Sequence, residues 1–265
     1  MDIYWFERDG HEDEFLKKRV SELEAAGFNG VMYPYGPTMG DYFTRVSRMI
    51  NPESNFKYIV SIRTYNLSAQ YLSMLCSSIN KISPNKVGVN LLTGYINKEE
   101  RAFGGVMSEI NDYSSNIDRS NYMLEYAKEF RRIGSAPFFV STTNQVVFEA
   151  CTENSLPILI PYLRYKADWF KMSGQKVMLM IAPVIGTADQ ELNYECDNDN
   201  ECRHPKGAKC MDIDFFTEET FFQFLDQCEA DGVNSILFQE SDYSEEQYDS
   251  ILSSIIKYKA RKSEA

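Results

Sequence analysis

Eight short apolar runs recur along this chain, and amphipathic stretches separate them. The runs occupy residues 3–6, 30–35, 56–63, 86–92, 137–141, 157–162, 176–184 and 234–239. Within each run the apolar residues are continuous rather than alternating with polar ones, which is the pattern of strands covered on both faces. The intervening stretches carry helical periodicity. Phe15, Leu16, Val20 and Leu23 recur near a 3.6-residue period, and Gly27 stops that helix. Further helices are predicted over 41–49, 68–82, 119–132, 145–152 and 165–172, and again after Thr217 and over 245–258. Thr217 is a helix N-cap with Glu218 and Glu219 in the first turn. The full capping box is read as absent, because Thr220 stands where Glu or Gln is expected.

Strands alternating with helices leave two architectures, an open doubly wound sheet and a closed (β/α)8 barrel. The count of eight and a length of 265 residues, close to the barrel's usual ~250, favour the barrel. No G-x-G-x-x-G follows the first run, so the dinucleotide-binding form of the open sheet lacks its fingerprint. The expectation is one (β/α)8 TIM-barrel domain over residues 1–265, with an irregular acidic, cysteine-containing loop at about 186–214.

Charge and composition narrow the function classes. Lys and Arg number 27 against 39 Asp and Glu, a net charge of -12, which argues against a nucleic-acid partner. The first residues are acidic, and no stretch approaches the ~18–20 apolar residues of a membrane span, so a cytoplasmic protein without a membrane partner is expected. Cys76, Cys151 and Cys228 fall in helical patterns and read as small buried apolar residues. Active sites of (β/α)8 barrels gather at the C-terminal strand ends. Here those ends carry Arg63, Asn90, the hydroxyl cluster Ser141 to Asn144, and tyrosines 33, 35, 65, 95 and 162.

The run KVGVNLLTGY, preceded by FKYIVSIRTYNLSAQYLSMLCSSINKIS, resembles the bacterial luciferase-like flavin monooxygenases, closest to their alkanesulfonate monooxygenase branch. The resemblance continues through GFNGVMYPYG, IDRSNYMLEYAKEFRRI and ADGVNSILFQ, and so covers most of the chain. It implies a (β/α)8 fold that takes reduced flavin mononucleotide (FMN) as cosubstrate at the C-terminal mouth. It also implies a small organic substrate, a separate flavin reductase as partner and a homo-oligomer. The family's members are usually longer, chiefly after the seventh strand, where they build a closing insertion.

Carried over position by position, the resemblance places Ile62, Arg63, Asn90, Thr93 and Gly94 around the flavin ring. It places Ser141, Thr142, Thr143 and Asn144 where the family holds the cofactor phosphate. The residues themselves agree in kind, since hydroxyls and backbone N–H groups at a strand-to-helix turn suit an anion. The departures are Met39, Met180, Ala182 and Ile117, which replace a reactive cysteine, an arginine, a histidine and a tyrosine of the branch. None of these side chains binds a sulfonate or moves a proton.

Each remaining candidate has more than one reading. Arg63 is a rim ion pair or a guanidinium beside the flavin or an anionic substrate. Asn90 is a structural amide or a flavin contact. Tyr95 is an edge of the core or a hydroxyl at the site. His11 is an exposed residue at the start of the first helix or a general acid or base. Cys196, Cys202, His204 and Cys210 form a solvated loop, a disulfide-tied loop or a metal site. The whole is read as a flavin-binding, reduced-FMN-dependent monooxygenase, with a non-catalytic flavin-binding or partner-assembling barrel as the alternative.

Overall fold

The computed structural model describes residues 1–7, 11–35, 41–92, 116–134, 136–142, 145–161, 176–186, 213–239 and 245–264. Each of the eight predicted runs forms a strand: β1 (Asp2–Phe6), β2 (Gly30–Tyr33), β3 (Lys57–Arg63), β4 (Val87–Leu92), β5 (Phe138–Ser141), β6 (Ile158–Pro161), β7 (Val177–Ile185) and β9 (Ser235–Gln239). They pair in parallel from β1 through β7 to β9 and back to β1, closing a barrel. Helices surround it: α1 (Asp13–Ala25), α2 (Tyr42–Met49), α3 (Ala69–Asn80), α4 (Asn116–Ile133), α5 (Gln145–Glu153), α6 (Glu218–Ala230) and α7 (Glu245–Glu264).

Two details of the sequence reading are corrected. A further strand, β8 (Ile213–Phe216), lies where the chain reads as irregular. It pairs with Ala182 to Ile185, the part of β7 that extends past the barrel ring. The capping box at α6 is also present. The Thr217 backbone N–H donates to Thr220 Oγ1 at 2.9 Å, and the Thr220 N–H donates to Thr217 Oγ1 at 3.3 Å. A hydroxyl on a short side chain thus does what Glu or Gln does in the usual box.

Strand parity splits the core in two. Tyr4, Met32, Ile59, Leu159, Met178 and Leu237 pack together inside the barrel, with Phe6, Phe139 and Met180 against them. The alternate positions, among them Trp5, Val31, Val60, Val89, Ile181 and Phe238, pack outward against the helices. Cys76, Cys151 and Cys228 are buried and reduced as expected, and burial pushes each thiol up to about 12.

Two similar turns return the chain from helix to strand. In AAGFNG and ADGVNS, Gly27 (φ +88°) and Gly232 (φ +82°) take the left-handed position that ends α1 and α6. The asparagine two residues on then spans the strand starts. Asn29 Oδ1 accepts from the Ile3 N–H at 2.8 Å, and Asn234 Oδ1 accepts from the Val177 N–H at 3.0 Å. These side chains fix register at the N-terminal end of the barrel.

Candidate functional site

The inward register of β3, β4 and β5 becomes polar toward the C-terminal mouth. Ser61 pairs with Asn90 in the β3–β4 ladder, and both are buried. Asn90 Nδ2 donates to Ser61 Oγ at 3.2 Å, while Ser141 Oγ donates to Asn90 Oδ1 at 2.7 Å. Three adjacent strands are thus joined by a Ser61–Asn90–Ser141 chain above an apolar floor that includes Ile59 and Phe139. A carboxamide offers two N–H donors and two acceptor lone pairs. This chain uses one of each, so Asn90 arrives at the mouth oriented and with capacity to spare.

Arg63 is the next inward position on β3. Its Nη1 donates to Tyr65 Oη at 2.7 Å, and its guanidinium carbon lies 5.1 Å from the centre of the Tyr35 ring. Tyr35 Oη in turn accepts from Asn66 Nδ2. The guanidinium is therefore braced by two tyrosines, a cation held over and beside aromatic faces.

Other expected residues are placed differently. Ile62 lies on the outward register and packs in the outer core, so its side chain is turned from the barrel interior. Ser141 points inward, but its hydroxyl is committed to Asn90. The Thr142 backbone N–H is likewise committed, to Leu159 O at 3.0 Å. Both groups are thus engaged within the protein in this structure. Tyr33 is wholly buried, stacked on Tyr42 at 4.8 Å in the outer core. Met180 and Ala182 sit on the inward parity of β7, where they present no acid or base.

His11 is drawn to the outer layer. Its Nε2 is 3.7 Å from Glu7 Oε1, and its ring stacks on Phe15 at 4.1 Å. Glu7 is fully buried on the outward parity of β1, with Arg19 Nε 3.8 Å from its other oxygen. Arg19 stacks over Tyr248 at 3.5 Å. The cluster ties β1 to α1 and α7, and β1 rather than the barrel mouth sets the position of His11. Helix α1 begins at Asp13, two residues after it.

Thr93, Gly94, Tyr95, Thr143 and Asn144 lie outside the described residues, as do Met39, Tyr162, Cys196, Cys202, His204 and Cys210. The side chain of Ile117 is likewise outside them. Among the described residues no group of His, Cys, Asp or Glu is arranged to hold a metal ion. Among them, too, no helix is long and apolar enough to cross a membrane.

Ser61 is the site residue that the sequence reading passed over. Its signal was parity. Ile59, Ser61 and Arg63 share one face of β3, and the serine interrupts that face one step below the arginine.

No model of a known protein family matches the sequence. Solved structures do resemble the fold. EDTA monooxygenase (EmoA) from Chelativorans sp. BNC1 matches with a TM-score of 0.70 at 8% identity, over 98% of this chain and 94% of that one. Long-chain alkane monooxygenase (LadA) matches with a TM-score of 0.71 at 9% identity, over 99% and 91%. A tetrahydromethanopterin reductase from Methanopyrus kandleri matches with a TM-score of 0.68 at 9% identity, over 97% and 99%. Two of these names describe monooxygenases and one a reductase, so the shared architecture does not select a reaction. It does not single out the alkanesulfonate branch either. What the chain shares with all three is the (β/α)8 barrel fold.

Proposed function

We propose that this barrel binds FMN at its C-terminal mouth and uses the reduced form as cosubstrate in the monooxygenation of a small organic molecule. The observation that carries the reading is the buried, half-used carboxamide of Asn90, held by Ser61 and Ser141 above the apolar inner core of the barrel. The polar edge of a flavin ring alternates hydrogen-bond donors and acceptors, and its body is flat and apolar. An oriented amide above Ile59 and Phe139 suits both parts. Ser61 and Ser141 serve as positioning residues for that amide.

Arg63, braced by Tyr65 and Tyr35, supplies fixed positive charge for a reduced, anionic ring or an acidic substrate. The phosphate falls to Thr143 and Asn144 and the N-terminus of the helix after them, because Ser141 Oγ and the Thr142 N–H are already engaged. Reduced flavin supplies the electrons for activating oxygen. The chain's own part is to orient the ring, hold charge beside it and keep water out with the apolar floor. A flavin reductase that delivers the reduced cofactor belongs to the same proposal, as does a homo-oligomeric, cytoplasmic protein.

A second reading, flavin binding without turnover, has its own support. Met180 and Ala182 leave β7 without a proton donor or acceptor facing inward.

Equilibrium titration with oxidised and reduced FMN tests the binding claim. Saturable binding, weakened about tenfold or more by Asn90→Ala, is expected. No binding of either form discards the flavin reading. Product formation with a reductase, NADH and oxygen then separates the two readings. Bound flavin that yields only hydrogen peroxide across a panel of small organic substrates selects the non-catalytic one.

A further inference from the structure

The opposite end of the barrel carries a cavity that the flavin reading does not use. It has a volume of about 930 Å³ and opens among the N-terminal ends of the strands. Catalytic sites of this fold gather at the other end, where the strands finish, so this cavity is separate from the candidate active site. Its floor is Tyr4, Ile59 and Phe139, the underside of the inner barrel core. Two inward positions just above its rim are small. Gly88 and Ser235 line it where larger side chains would close the ring.

Its rim is cationic in an acidic chain. Lys57, Lys86 and Lys176 all line it, and each stands two residues before an inward-facing position, Ile59, Gly88 and Met178. All three therefore fall on the inward parity of their strands. Lys57 starts β3 and Lys86 immediately precedes its neighbour β4, while Lys176 immediately precedes β7 across the barrel. Arg131 adds a fourth cation, held by the carbonyl oxygens of Asn154 and Ser155 at 2.6 and 3.3 Å. Against them stands one carboxylate, Asp2, already engaged by Lys57 Nζ at 3.1 Å and by Tyr4 Oη at 3.3 Å.

Lys86 is 6% exposed and has no carboxylate partner among the described residues. Its stem is buried among the lining residues while its ammonium keeps access to solvent, so the cation is offered with no carboxylate beside it. The chain has 39 acidic residues, yet among the described residues Asp2 is the one carboxylate that lines this cavity.

We infer that the N-terminal cavity is a binding site for a small organic anion, a flat or apolar body carrying a sulfonate, phosphate or carboxylate group. The body lies on Tyr4, Ile59, Phe139 and the prolines 137 and 157, and the acidic head meets Lys86 and Lys176. Lys57 is partly neutralised by Asp2 and contributes less. The site stands independently of the flavin reading, since it shares no polar residue with the Ser61–Asn90–Ser141 chain.

Fluorescence titration with anilinonaphthalene sulfonate tests this, with uncharged phenylnaphthylamine as the probe of the body alone. Saturable one-to-one binding of the sulfonate to the folded protein is expected, with the neutral body about tenfold weaker or more. Lys86→Gln should weaken the sulfonate about tenfold, and Lys176→Glu should weaken it by a similar factor. Asn90→Leu should leave it unchanged. Lys176 is exposed, so its variant keeps the test valid if Lys86→Gln fails to fold. Equal affinity for charged and neutral probes overturns the inference, and so does unchanged sulfonate binding in Lys176→Glu.

Discussion

The two mouths of this barrel are built from the same inward register and yet differ in chemistry. Among the described residues at the C-terminal mouth, neutral polar groups bond to one another, Ser61 to Asn90 to Ser141, beside the braced cation of Arg63. At the N-terminal mouth four cations, Lys57, Lys86, Arg131 and Lys176, stand against Asp2 around a cavity lined also by Gly88 and Ser235. A connected neutral chain fixes the direction of a hydrogen bond. A ring of lysines fixes only charge. The first arrangement suits discrimination of a ring edge, and the second suits retention of an anion.

The sharpest way to break this contrast is Asn90→Leu. It removes the amide and leaves Ser61 and Ser141 without their shared partner. Flavin affinity should fall about a hundredfold, read by titration, while sulfonate binding at the other end holds. Gly30→Ala comes next and probes the packing of the N-terminal end. A Cβ there would lie 2.4 Å from Lys57 O and 2.7 Å from the Tyr4 ring. Backbone cannot yield as a flexible side chain does, so chemical denaturation should show a loss of ~1–3 kcal/mol. Ser141→Ala should act more mildly, lowering flavin affinity by about fivefold, because it loosens the amide without deleting it.

The smallest effect belongs to the contact between α6 and α7 in the helix layer, which lines neither site. Asp226 on α6 is held by Lys262 Nζ at 2.9 Å, by Arg261 and by Tyr258 Oη at 3.1 Å, which ties down α7. The hydrogen bond from Lys262, followed by those from Arg261 and Tyr258, lowers its carboxyl below the ordinary value. A lowered carboxyl stabilises the fold above its unfolded pKa of ~3.9, and that contribution is lost as pH falls through the folded value. Thermal melts should therefore show a modest fall in Tm below about pH 4 that Asp226→Asn reduces. The effect is small because the pair is solvent-screened. Neither ligand's binding at neutral pH should respond to that variant.

Much of this architecture was legible in the chain. All eight barrel strands follow from continuous apolar runs, because burial on both faces leaves no alternation to confuse. β8 was hidden because its register comes from the overhang of β7, a tertiary cause that four residues cannot reveal. At the site, Asn90 stood out as an amide in an apolar strand. Its partner Ser61 did not, since a lone serine carries little signal until strand parity aligns it with Asn90 across the β3–β4 ladder. Parity also separates Ile62 from Arg63, neighbours in sequence on opposite faces of β3. His11 went to the outer layer because buried Glu7 and Arg19 create a polar cluster there, and no periodicity announces it. The three lysines were visible singly, each just before or at the start of an apolar run. They form a ring only once the barrel closes.

The most direct test of the central claim is anaerobic titration with reduced FMN of the unmodified protein, Asn90→Leu and Lys86→Gln side by side. The account predicts saturable binding to the unmodified protein and to Lys86→Gln with the same affinity, and about a hundredfold weaker binding to Asn90→Leu. Undiminished binding to Asn90→Leu, or a loss confined to Lys86→Gln, would contradict it and move the flavin to the other mouth or off the barrel.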